Sequence, residues 1–97
     1  FMYVKDLANA IWFCVPRIDR LPNLLNIGVG KDLSIKEYYD KVAEIIGYRG
    51  SFSYDLKKPI GMKRKLLDVR KINNMGWKSE YSLDLGISRT YDYFLNL

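Results

Sequence analysis

At 97 residues the chain has room for one small domain, because a single core needs on the order of 100 residues to bury most of its surface. Its 48% hydrophobic and 28% charged content is that of a folded protein and excludes a disordered one. One cysteine excludes an internal disulfide framework, one cysteine with no histidine leaves almost nothing for a zinc site, and no apolar run approaches the roughly 18 residues of a membrane span.

The net charge of +5 is concentrated in one stretch. Between Lys57 and Lys71, Lys57, Lys58, Lys63, Arg64, Lys65, Arg70 and Lys71 stand against the single acid Asp68, so the rest of the chain is almost neutral. Such a run is either an anion-binding segment on a packed scaffold or a solvated basic loop.

In chain order, Phe1-Met2-Tyr3-Val4 is aromatic and β-branched and predicts a strand. Asp6 then stands as an N-cap, and Leu7, Ala10, Ile11 and Cys14 fall on one face of a helix that Pro16 ends. Trp12, Phe13 and Val15 make the other side apolar too, which predicts a helix buried on both sides, with Cys14 as a structural thiol. Arg17 to Asn23 predicts a loop and Leu24 to Val29 a buried strand entering a turn at Gly28-Val29-Gly30. That glycine pair does not complete G-x-G-x-x-G, because Leu33 holds the third-glycine position, so the glycines are assigned to the turn.

Ser34 and Glu37 form an S-x-x-E capping box, and Ile35, Tyr38, Tyr39, Val42, Ala43, Ile45 and Ile46 supply the apolar stripe of a helix closed by Gly47. Ser51 to Leu56 alternates and predicts a strand with Phe52 and Tyr54 on one face. Tyr54 and Lys58 match the Tyr-x-x-x-Lys spacing of a helical catalytic pair. Pro59, however, holds Lys58 out of helical geometry, so the two do not share a face. Asp68 caps a short helix carrying Ile72 and Met75, with Gly76 as its C-cap, and a last helix begins at Ser82.

The run Lys58-Pro59-x-Gly61-x-x-Arg64-Lys65-Leu66-Leu67-Asp68-Val69, followed by Met75-Gly76-Trp77, resembles the C-terminal part of the GDP-L-fucose synthase family of extended short-chain dehydrogenase/reductases. Tyr3-Val4-x-Asp6-Leu7-Ala8, Asn26-Ile27-Gly28-x-Gly30, Ser34-Ile35-Lys36-Glu37, Ile46-Gly47-Tyr48-x-Gly50 and Ser82-Leu83 with Thr90-Tyr91 line up in the same order, so the resemblance spans nearly the whole chain. The motif departs from the family at Ile60, Met62 and Lys63, where aspartate, threonine and proline are usual.

The resemblance implies an α/β fold. The chain would be the C-terminal substrate-binding part of an extended short-chain dehydrogenase of the NAD(P)-binding Rossmann-like superfamily, a fragment whose main Rossmann domain lies upstream of Phe1. Residues 1–97 would form the sugar-nucleotide-binding piece, with residues 1–30 packing on that missing domain. Trp12, Phe13 and Val15 would then be exposed in its absence or covered by another copy. The implied activity is the epimerisation of GDP-4-keto-6-deoxy-mannose and its reduction with NADPH, the NADP being held by the upstream domain, in a cytoplasmic homodimer with neither nucleic acid nor membrane as partner. No catalytic, cofactor-binding or metal-binding residue would fall within the 97. Lys65 aligns with the family lysine that meets the substrate diphosphate, Arg64 flanks it, and Lys58 adds longer-range field. A 4-keto reductase or epimerase acting on another nucleotide sugar, such as a GDP-heptose, is the alternative. A basic nucleic-acid-binding module and an interaction domain without chemistry are more remote.

Overall fold

The structure, a computed structural model, describes residues 1–61 and 63–97. The departure from the family at Met62 therefore lies outside the described residues. Helix α1 spans Val4–Cys14 and starts from Tyr3, whose extended backbone makes it the N-cap. Asp6, expected in that role, sits instead inside the first turn and is 1% exposed. Its Oδ1 accepts from the backbone amide of Glu80 at 2.9 Å and its Oδ2 from that of Tyr81 at 3.2 Å, so the carboxylate ties α1 to a distant segment. A buried carboxylate is tolerated only with such donors.

Ala10 points into the core, while Trp12 is 79% exposed, so α1 is buried along one side and not both, and Val15, just past its end, is 56% exposed. The two exposed side chains are those expected to be uncovered, whereas Phe13, grouped with them, packs with Cys14 against the core. Pro16 does not stop the helical path. A 3-10 helix, Val15–Arg20, follows directly with the proline in its first turn, where a missing N–H costs nothing. Arg17, expected in a loop, donates to the carbonyl of Phe13 at 2.8 Å and lies 3.9 Å over its ring, closing the end of α1.

The three predicted strands, 1–4, 24–29 and 51–56, are not strands, and the described residues contain helices and irregular segments only. The expected α/β architecture is corrected to that extent. The physical reason is that a strand exists only through a neighbour's ladder, and no such ladder forms here. Residues 26–30 do run beside 67–69, yet the tie between them is the side-chain amide of Asn26 donating to the carbonyl of Asp68 at 3.3 Å. In the 51–56 segment, Phe52 and Tyr54 lie against Tyr39, with ring centroids 5.4 and 6.1 Å away.

The remaining helices follow their local signals. In α2 (Ile35–Ile46) both arms of the capping box form, Glu37 N–H to Ser34 Oγ at 3.1 Å and Ser34 N–H to Glu37 Oε1 at 3.0 Å, and Gly47 takes a φ of 77° after the last turn. Helix α3 (Arg70–Asn74) starts two residues beyond Asp68, with Val69 in place of Asp68 as its N-cap and Met75 in place of Gly76 as its C-cap, and Asp68 Oδ1 accepts from the amide of Arg70 at 3.1 Å. Ser82 caps α4 (Leu83–Leu95) through the amide of Leu85.

The core consists of Ala10, Val69, Ile72 and Trp77, edged by Met2, Phe13, Cys14, Leu25 and Ile27, and so joins α1 to α3. Helices α2 and α4 meet separately and share the pair Lys41 Nζ to Asp84 Oδ1 at 3.2 Å. Beside that contact lies a hollow of about 1720 Å³ lined by Val42, Ile46, Leu83, Ile87 and Phe94, among others. The accessible surface is 8431 Å², whereas a compact monomer of this mass exposes about 5,800 Å². Likewise the radius of gyration, 16.3 Å, exceeds the roughly 13 Å of a compact domain of this length. Among the described residues no helix is long and apolar enough to cross a membrane.

Asp6→Ala removes the acceptor of both distant amides and should destabilise the chain by about 2–4 kcal/mol in a urea titration, with Asp6→Asn recovering part of the loss. An unchanged midpoint for Asp6→Ala would show that the tether carries no stability.

Candidate functional site

The basic loop does not stand free. Residues 60, 61 and 63–67 face the segment 27–35, and together with Phe1 and Met2 they line a cleft of about 920 Å³. That is within the range of small-molecule sites. Two features of the sequence bring the walls together. Gly30 has a φ of 81°, and a Cβ there would stand 2.7 Å from Cγ2 of Val69, so only glycine allows this approach. Leu67 packs over Gly28 on the same seam.

Arg64 joins the two walls of the cleft. Its Nε donates to Asp32 Oδ2 at 2.8 Å and its NH2 nitrogen to Asp32 Oδ1 at 2.9 Å, a two-bond fork between segments 32 positions apart. The Arg64 guanidinium holds the Asp32 carboxyl below its ordinary value, and Asp32 in turn raises that of Arg64. Arg70 forms a similar fork on Asp68, with its NH2 nitrogen 2.6 Å from Oδ2, which fixes the far end of the loop. Lys31, Lys63 and Lys65 also line the cleft, and none has an ion-pair partner among the described residues.

Of the three residues that the sequence points to, Lys65 and Arg64 come together in the cleft wall, whereas Lys58 lies outside it, on a turn where its amide donates to the carbonyl of Asp55 at 3.3 Å. Ile60, at the position of the family aspartate, lines the same cleft and is 89% exposed. Asp32 and Lys31 are wall residues that the sequence does not single out. Nothing in their local pattern distinguishes them from any charged pair preceding a helix cap, because what makes them part of a site is Arg64 arriving from the other segment.

The turn at Gly28 and Gly30 does not fit a dinucleotide. In such a site the glycines let a pyrophosphate approach the backbone at a helix start. Here the space above Gly28 is taken by Leu67 and Val69, that above Gly30 by Val69, and α2 begins only at Ile35. Residues 54–58 are not helical, so Tyr54 and Lys58 make no catalytic face.

A cationic cleft of this kind suits a ligand with a concentrated negative charge, and the proteins to which the chain is similar include several named as synthases of GDP-linked sugars. It is 45% identical over 96 residues to the GDP-L-colitose synthase of Yersinia pseudotuberculosis, a match covering 99% of this chain and 31% of that protein. It is 44% identical over 95 residues to the GDP-L-fucose synthase of Azorhizobium caulinodans, covering 98% and 30%, and 36% identical over 94 residues to that of Escherichia coli K12, covering 97% and 29%. No protein-family model matches the sequence. The chain is a homologue of GDP-L-fucose and GDP-L-colitose synthases and spans about a third of the length of these curated relatives.

The fork on Asp68 has a measurable signature. Arg70 bonds lower the Asp68 pKa from 3.8 to about 2, so the carboxylate's contribution is fully present above pH 3.8 and is lost as the pH falls toward 2. A carbon-detected NMR titration should find Asp68 titrating near 2 and, in Arg70→Gln, returning toward 3.8. An unshifted Asp68 in the unsubstituted chain would contradict the fork.

Proposed function

We propose that these residues form the C-terminal sugar-nucleotide-binding part of a GDP-L-fucose synthase-like enzyme of the extended short-chain dehydrogenase/reductase group. That enzyme would epimerise and reduce GDP-4-keto-6-deoxy-mannose with NADPH. The observation that carries the reading is Lys65. It lies in the wall of the cleft between Arg64, pinned to Asp32, and Leu66-Leu67, whose second member packs on the Gly28 seam. A lysine on an anchored backbone loses less freedom on gripping a diphosphate than one on a free loop. Arg64 assists at the same wall, and Lys58, outside the cleft, contributes only through its field.

NADPH supplies hydride in this chemistry, and it belongs to a Rossmann domain preceding these residues, since the glycine turn here does not fit a dinucleotide. Residues 1–30 would pack on that domain. The exposed apolar side chains Val4, Leu7, Ile11, Trp12, Val15 and Ile18 support this arrangement. This chain's own residues would bind and orient the diphosphate end of the substrate. One observation favours a second reading, a reductase or epimerase acting on another nucleotide sugar. Ile60 presents an apolar side chain to the cleft where the family has a carboxylate, so a sugar lacking a hydroxyl at the facing position would be matched better than one that carries it.

Lys65→Ala should weaken GDP-sugar binding about ten- to a hundredfold with little change in melting temperature, and Lys71→Ala, on α3 outside the cleft, should do much less. Equal losses for the two, or none for Lys65→Ala, would reduce the basic run to a solvated face.

The 97 residues alone should oxidise no NADPH in the presence of a GDP-keto-sugar, because neither a dinucleotide turn nor a helical Tyr-x-x-x-Lys lies within them. Turnover by the chain alone would overturn the division of labour proposed here.

A further inference from the structure

The Arg64–Asp32 pair poses a question of sign. A carboxylate beside an anion site repels the ligand, so on charge alone Asp32 should weaken the site it lines. The bond pattern says otherwise. A guanidinium carries five N–H donors in a rigid plane. Asp32 takes one from Nε and one from the NH2 nitrogen, along a single edge, at 2.8 and 2.9 Å. The other three donors have no partner among the described residues.

Asp32 is itself well placed to act as the fixed partner. Its side chain is 23% exposed against 66% for Arg64, and it lies between Gly30, locked against Val69, and Ser34, locked in the capping box. The mobile member of the pair is therefore the arginine, and the carboxylate decides how its plane is held.

Resting on the diphosphate reading above, we infer that Asp32 is a positioning residue of the anion site: it takes one edge of the Arg64 guanidinium and thereby leaves the other edge held in the cleft wall, next to Lys65, for the ligand's phosphates. The pair is electrically neutral, so the attraction comes from Lys31, Lys63 and Lys65, and Arg64 contributes directional donors. A lysine at position 64 could not do both tasks, because an ammonium is a single point of charge without two edges.

The test is titration of the full chain with GDP, followed by calorimetry and by the side-chain NMR signals of Arg64. Asp32→Asn should raise the Kd about fivefold to tenfold although it removes a negative charge, and it should cost nothing further in an Arg64→Gln background. Arg64→Lys, an exposed change that leaves the fold intact, should lose as much as Arg64→Gln. In the unsubstituted chain GDP should shift the Arg64 Nη signals and leave Nε–H in place.

Tighter or unchanged binding by Asp32→Asn, full affinity in Arg64→Lys, an equal Asp32→Asn loss without Arg64, or displacement of Nε–H by GDP would each overturn the assignment. The diphosphate reading fails separately, if Lys65→Ala leaves the Kd unchanged. No GDP binding by the unsubstituted chain would overturn both.

Discussion

The approach of Gly30 to Val69 is the contact on which the site depends. A side chain at position 30 would collide with Val69, and Val69 is one of only four apolar residues buried in the described structure, shared with Ala10, Ile72 and Trp77. The seam that forms the cleft is thus continuous with the core. Pushing the 27–30 segment away from 67–69 would open both together, since Leu67 on Gly28 and Asn26 on the Asp68 carbonyl lie along the same line. Cleft shape and core packing are consequently one property of this chain, held by backbone closeness and not by a sheet.

The basic run, taken as a whole, overstates the charge available to a ligand. Arg64 and Arg70 are neutralised by Asp32 and Asp68, and Lys57, Lys58 and Lys71 stand outside the cleft. What remains in the wall is Lys63 and Lys65, joined by Lys31 from the opposite segment. Pairing the arginines orders the loop, and leaving the lysines unpaired keeps its field. The two kinds of cation are used for different ends, as their geometry favours.

Features governed by near neighbours are legible in the amino-acid sequence itself. The Ser34–Glu37 box, the Ser82 cap, the glycine after α2 and the Asp68 bond to the start of α3 all depend on residues within a turn of each other. Lys65 and Arg64 are singled out by the motif that contains them, and both line the cleft. What cannot be read depends on separation. Asp6 has the composition of a cap, and only amides 74 and 75 positions away reveal it as a buried tether. Asp32 becomes part of a site through an arginine 32 positions on. The strand-like segments mislead for a related reason, since β-branched and aromatic residues fit a sheet surface but do not supply the second strand, and Phe52 and Tyr54 meet Tyr39 instead.

The Asp6 tether also bears on the order in which the molecule can assemble. As the chain leaves the ribosome, α1 emerges well before the amides its carboxylate requires, the nearer of which follows 74 residues later. Until then Asp6 stays hydrated, and the face of α1 that carries it and Ala10 cannot be taken out of water without the full cost of a bare charge. The entropy of closing so long a loop rises only slowly with its length, so the delay comes from sequence order more than from the closure itself. Although its helices are short and most of their contacts could be local, α1 is therefore seated only once the segment at Glu80 and Tyr81 has arrived.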